Sequence, residues 1–225
     1  LGHVFGQAKA AWTYLLNRTG PLSISVNQGG GFVKGSANQE SPNIQLYFNP
    51  MSYQIPADPN AQMAPDPYSG FLVAFNSCRP TSKGTVTIAS RNAADKPLIR
   101  PNYLSTEKDV AEVIQGSKII RKLMQTQALE AVTDEEIKPG SAVNDEASML
   151  DYFRQQGGSI YHLCGTCSMG PSQDTAVVDS RLRVHGVTGL RVIDASVFPN
   201  ITSGNINAPV MMVAEKGADL VLQDY

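Results

Sequence analysis

The stretch YHLCGTCSMG, residues 161–170, places a histidine, two cysteines and two glycines within ten positions. Three chemistries use such residues: thiol–disulfide exchange at a CxxC, half of a zinc site, and proton transfer at a histidine. A zinc site needs two more ligands, and His3, His185 and Cys78 are scattered along the chain. A redox CxxC ordinarily opens a helix. Here Gly165 sits inside the motif and SMGPS follows, which does not read as a helix start. Cys164 and Cys167 are therefore read as small, semi-polar packing residues, and no metal is assigned. A lone histidine is often structural, but an imidazole takes a proton near neutral pH, its ordinary pKa being about 6.5. Removing the hydroxyl proton of an alcohol is a task it suits. His162 is the candidate catalytic base.

A second candidate lies at 201–208. Asn205, Ile206 and Asn207 come just before an apolar-periodic segment that Pro209 is expected to open as the first helical residue. A helix N-terminus offers unpaired N–H groups and about half a unit of positive charge. An anion, or a ring that becomes anionic, is stabilised there. A capping loop without a ligand accounts for the same residues, and the local pattern leaves both readings open.

These candidates need elements to hold them. The chain has 225 residues, 42% of them apolar and 17% charged. That suffices for one large or two small domains with a hydrophobic core. A net charge of -2 gives no reason to propose a nucleic-acid or anionic-membrane partner. No apolar run approaches the roughly 18 residues needed to span a bilayer. LGHVFGQAKAAW has neither an initiator Met nor the basic start of a signal peptide, and reads like the middle of a longer protein. Three cysteines argue against a disulfide framework and favour a reducing, cytoplasmic setting. Asn17 and Asn200 open Asn-x-Thr triplets, a pattern that often arises by chance.

Residues 1–104 read as turns and short strands. PLSISV and NIQLYF alternate, GFLVAFN is continuously apolar, and SKGTVTIAS resembles the second arm of a hairpin, with Val86 and Ile88 on one face. The run Gly29–Gly31 is taken as a tight turn or bulge. Residues 49–70, rich in proline, form a long loop of the kind that shapes binding sites. Thr106 and Asp109 fit a capping box for a helix running to about Ala131, with Val110, Val113, Ile114, Ser117, Ile120, Leu123 and Met124 on its spacing. A shorter helix is expected from Asp145 to Gln155. GLRVIDAS reads as a buried strand, and VMMVAEKGADLVL as a helix with Val210, Val213, Ala214, Gly217, Leu220 and Val221 on one stripe.

YHLCGTCSMG, AVVDSRLRVHGVTGLRVIDASVFP and SGNINAPVMMVAEKGADLV together resemble the C-terminal signature of the glucose–methanol–choline (GMC) oxidoreductases, FAD-dependent enzymes that oxidise alcohols. SCRPTSKGTVTIAS and KPLIRPNYLSTEKDV resemble that family's substrate-domain strand pair and the helix after it. The resemblance implies a mixed α+β and α/β fold. Residues 1–157 would form an antiparallel-sheet substrate cap flanked by helices. Residues 158–225 would supply the C-terminal strand and helix of a FAD-binding α/β domain.

By the same resemblance the catalytic pair falls on His162 and Asn205. His162 would accept the hydroxyl proton while the alcohol carbon passes hydride to flavin N5, and Asn205 would align the substrate oxygen. Asp194 and Ala195 would lie near the ribityl–pyrophosphate chain; for Asp194 alone the alternative is a turn residue capping a strand. The N–H groups of Ile206 and Asn207 would face the flavin O2 edge, and Asn205 would border it. The family's GxGxxG fingerprint is absent from this sequence. The N-terminal nucleotide-binding half is therefore expected elsewhere, and this segment alone should hold FAD weakly. Two other outcomes stay open: a lyase that keeps FAD for structure and uses the histidine on a cyanohydrin, and an inactive folded module.

Overall fold

The computed structural model describes residues 4–25, 27–54 and 64–224, and they fall into two units. The first unit comprises 1–34 and 44–76, the second 35–43 and 77–225. The boundary expected between 157 and 158 lies inside the second unit.

The first unit opens with helix α1, Val4–Asn17. It was not expected from the sequence: only Ala10 is buried, while Phe5, Trp12, Leu15 and Leu16 are exposed, so no polar–apolar alternation marks its inner face. PLSISV is not a strand over its described residues. The Ser23 N–H and hydroxyl both donate to the Gly20 carbonyl, at 2.9 and 2.8 Å, and fold the segment into a turn. A three-stranded sheet follows, in the order β1 (Gly29–Val33), β2 (Ile44–Asn49), and, as the fifth strand in chain order, β5 (Leu72–Ser77). NIQLYF and GFLVAFN thus form strands as their composition implies. The glycine run is strand rather than turn: β1 pairs antiparallel with β2, Gly30 opposite Tyr47. A Cβ on Gly30 would lie 2.3 Å from the Leu46 carbonyl oxygen, so close backbone approach explains the residue. Within 49–70, β3 (Tyr53–Gln54) pairs with β4 (Ala64–Pro65), and 55–63 lie outside the described residues.

In the second unit, β6 (Thr85–Thr87) pairs antiparallel with β7 (Leu98–Arg100). SKGTVTIAS is therefore the first arm of its pair, not the second. Both strands are exposed, and hydrogen bonds from Ser90 and Asn92 to Asp95 hold the connection. Helix α2, Glu107–Met124, starts where the sequence implies, with the Thr106 hydroxyl accepting from the Asp109 N–H. It stops short of Ala131. Thr126 turns extended and its hydroxyl donates back to the Leu123 carbonyl, leaving α3 (Gln127–Glu130) as a separate turn. Helix α4, Glu146–Gln156, is capped by Asp145, whose carboxylate accepts from the Ala147 and Ser148 N–H groups, and packs against α2. Among the described residues no helix is long and apolar enough to cross a membrane. Antiparallel strands with helices make an α+β arrangement.

Asp109 ties α2 to the preceding loop. Burial raises its pKa, but the Ser82 hydroxyl, the Thr81 and Ser82 N–H groups and the Thr81 hydroxyl outweigh burial and hold the carboxyl below its ordinary value. A depressed carboxyl contributes stability that is present above its unfolded pKa and is lost as pH falls through the folded one. Asp109→Ala is expected to lower unfolding stability by about 1–3 kcal/mol, the cost of orphaned donors. Urea titrations should show that deficit at neutral pH and see it shrink as pH falls below about 4, the ordinary carboxyl value, and on through the lower value of the folded carboxyl.

The core of this unit joins Val178, Leu182, Val197, Phe198, Val213 and Leu220. It is built by helix α5, Asn207–Gln223, lying on the segment 164–198. Val213, Gly217 and Leu220 of the expected stripe are buried, whereas Ala214 is exposed. Asp224 closes α5, receiving Arg181 at 2.7 Å and also Arg191. GLRVIDAS is not a regular strand. Arg191 bridges Arg183, and the chain then enters a 3₁₀ turn, Ala195–Val197. Its pairing is confined to that bridge, where the Val184 N–H donates to the Leu190 carbonyl at 3.0 Å and the Val192 N–H to the Leu182 carbonyl at 3.1 Å, and among the described residues no ladder extends beyond it.

Candidate active site

The chain leaves α4 through Gly157 and Gly158. The Ser159 hydroxyl accepts from the Tyr161 N–H at 2.9 Å, and Tyr161 takes φ +62°. His162 follows, half-buried. Gly165 then turns left-handed at φ +93°, a conformation its lack of Cβ permits. Two N–H groups, of Gly165 and Cys167, share the Ser196 carbonyl at 3.1 and 3.0 Å, and the Met169 N–H reaches the Val197 carbonyl at 2.9 Å. The histidine turn is therefore laced directly onto the 3₁₀ turn that Asp194 caps. Ser159 and Ser196 carry this scaffolding. Nothing in their own types signals it, although Gly165 and Gly170 mark the tight backbone.

His162 and Asn205, 43 positions apart, meet: Asn205 Nδ2 lies 2.8 Å from His162 Nε2. An amide nitrogen only donates, so in this contact Nε2 takes the acceptor role. A donor and an acceptor so placed complement a hydroxyl, which can accept from an amide and donate to an imidazole at once.

Asn205 leads into α5, which starts two residues earlier than expected. Asn207 is its first residue and Pro209 its third. Proline is tolerated there because no N–H of the first turn has an intrahelical acceptor. Ile206 is the cap residue; its buried side chain makes no capping bond, and its carbonyl accepts from the Val210 N–H at 2.9 Å. No side-chain cap serves this helix start, which suits a ligand with negative charge. Asn207 is exposed, its amide 3.8 Å from the Met211 sulfur. Asp194 caps the 3₁₀ turn: Oδ1 accepts from the Ser196 N–H at 2.8 Å and hydroxyl at 2.5 Å. Ala195 packs against the core.

Cys164 and Cys167 are free thiols. Burial pushes the Cys164 pKa up, with Lys83 only partly opposing it, and a raised pKa disfavours the thiolate that exchange chemistry needs. Among the described residues no three His, Cys, Asp or Glu side chains group as metal ligands. Changing Cys164 and Cys167 together to Ser is expected to leave substrate turnover of the full-length enzyme intact. The same change should cost roughly 1–3 kcal/mol in a melt, because a hydroxyl replaces a packed sulfur.

Residues 80–214, more than half of the chain, match the family model described as GMC oxidoreductase. The chain belongs to the GMC oxidoreductase family. Among curated GMC relatives, the oxygen-dependent choline dehydrogenase of Brucella ovis is 36% identical over 221 residues, 98% of this chain and 39% of that protein. An alcohol dehydrogenase [acceptor] of Pseudomonas putida is 36% identical over 212 residues, 94% of this chain and 37% of its own length. The chain thus spans about two fifths of the length of the curated relatives it matches. Among solved structures, pyridoxine 4-oxidase from Mesorbium loti superimposes with a TM-score of 0.75 at 28% identity, covering 88% of this chain and 38% of that one. A formate oxidase of Aspergillus oryzae, a variant studied for FAD modification, shares the fold at a TM-score of 0.80 and 22% identity, over 99% of this chain and 42% of its own.

Proposed function

We propose that this chain is the C-terminal part of a FAD-dependent enzyme that oxidises an alcohol, with His162 as proton acceptor and Asn205 as the group that fixes the substrate oxygen. The contact between His162 Nε2 and Asn205 Nδ2 carries this reading. A substrate hydroxyl entering between them donates its proton to Nε2 and accepts from the amide. Both bonds align the carbinol carbon, and such positioning contributes several kcal/mol to barrier lowering, up to about 10.

FAD is the cofactor of the full-length enzyme and supplies the two-electron acceptor for the hydride. The chain's own groups fit it. The start of α5, which has no side-chain cap, supports this reading: backbone N–H groups at Asn205, Ile206 and Asn207 would stabilise an anionic ring edge. Asp194 and Ala195 would hold the sugar–phosphate side. The Asp194 Oδ1 serves Ser196 and fixes the turn, so Oδ2 and the backbone would be the groups left for the cofactor. Residues 1–157 act as the substrate-side cap and 158–225 complete the cofactor domain. The relatives' alcohol and choline dehydrogenase names agree with a small alcohol as substrate.

The test is anaerobic addition of a panel of primary alcohols to the full-length flavoprotein. Bleaching of the visible flavin band supports oxidation. An unchanged yellow spectrum with a carbonyl product released from a cyanohydrin would replace it with lyase chemistry.

A further inference from the structure

We propose that the left-handed turn at Tyr161 aims the His162 imidazole, and that residue 161 is a positioning residue for proton transfer. This rests on the reading of His162 as the base. Tyr161 adopts φ +62°, a region that non-glycine residues rarely enter and in which they are strained. Its side chain is 87% exposed, so no packing in this chain compensates. The Ser159 hydroxyl accepts its N–H and stabilises the turn. Four residues on, the Ser196 carbonyl fixes Gly165 and Cys167.

His162 hangs between these two anchors. Residues 162–164 join the two anchors, and the dihedrals at 161 set the direction in which the chain enters them. Relaxing Tyr161 to extended backbone would swing the Cβ of residue 162 away from the line to Asn205 and break the 2.8 Å contact. A backbone outlier beside a reacting group, uncompensated by burial, is where strain serves alignment.

The prediction separates backbone from ring. In the full-length enzyme, Tyr161→Gly and Tyr161→Phe keep the rate of flavin reduction within about threefold, because both accept or retain the turn. Tyr161→Val lowers it at least about tenfold, since a β-branched residue resists positive φ. Ser159→Ala gives a smaller loss in the same direction. A second readout needs no turnover: ¹⁵N-histidine spectra of the full-length protein should show the hydrogen-bonded Nε2 of His162 in wild type and Tyr161→Gly, and its loss in Tyr161→Val. Wild-type rate and spectrum in Tyr161→Val would overturn the proposal, as would a tenfold loss in Tyr161→Gly, which would assign the role to the ring. Should Tyr161→Val not fold, the Gly, Phe and Ser159→Ala comparisons decide. Failure of His162→Ala to slow reduction would instead remove the base assignment beneath it.

Discussion

In the full-length enzyme, His162→Ala is expected to slow flavin reduction by an alcohol by 10²–10⁴, the ordinary worth of a positioned general base. The size follows from what is removed. Without Nε2 the hydroxyl proton has no acceptor in the pair, and water at the vacated position is not fixed opposite the Asn205 amide. Asn205→Ala should cost less, roughly five- to tenfold, about one hydrogen bond. Stopped-flow reduction at saturating alcohol reads both. A loss below tenfold for His162→Ala would count against the base.

The second large effect concerns stability. Glu112 lies on α2 with its side chain 4% exposed. Its Oε1 accepts from Asn43 Nδ2 at 2.8 Å and pairs with Lys108 Nζ at 2.9 Å, and its Oε2 takes the Ser77 hydroxyl. The same Asn43 accepts the Gly35 N–H at 2.7 Å, and its carbonyl takes the Cys78 N–H at 2.8 Å. One carboxylate therefore joins α2 to two distant segments. Glu112→Ala removes the acceptor shared by the Asn43 amide, the Ser77 hydroxyl and the Lys108 ammonium, which keeps the Arg79 carbonyl at 2.8 Å, and is expected to cost about 2–4 kcal/mol. That is on the order of a 10 °C drop in Tm. Lys118 and Glu146 make an ion pair at 2.6 Å, but both are 68% exposed, and Glu146→Ala should change stability by less than about 1 kcal/mol. Equal losses in the two variants would refute the ranking by burial.

That network shows why part of the fold was hidden in the sequence. Asn43 and Glu112 stand 69 positions apart, and neither residue type announces the other. Local signals were readable where the physics is local. Thr106 and Asp145 are polar residues just ahead of helical periodicity, and both cap as their type allows. The end of α2 was not readable, because it depends on Thr126 turning back onto Leu123. Alternation in PLSISV suggested a strand, but a strand needs a partner, and the Gly20 turn took the segment instead. Helix α1 carried no signal because its apolar residues are not sorted to a buried face.

For the candidate site, the local pattern offered His162 and Asn205 singly and the resemblance paired them; the structure brings the two side chains to 2.8 Å. A glycine-flanked histidine and an asparagine before a helix are chemical features that survive without knowledge of the path between them. What the sequence lacked was their distance, which Gly165, Ser196 and the start of α5 set together. It also lacked the strained turn at Tyr161, since only the backbone records it.

The claim that His162 and Asn205 handle one hydroxyl together is tested most directly by a double-mutant cycle on the rate of flavin reduction. If both act on the same oxygen, adding Asn205→Ala to His162→Ala should cost almost nothing further, because groups that work as a unit are not additive. Losses that multiply independently, or wild-type rates in either single variant, would mean that the two side chains never share a substrate.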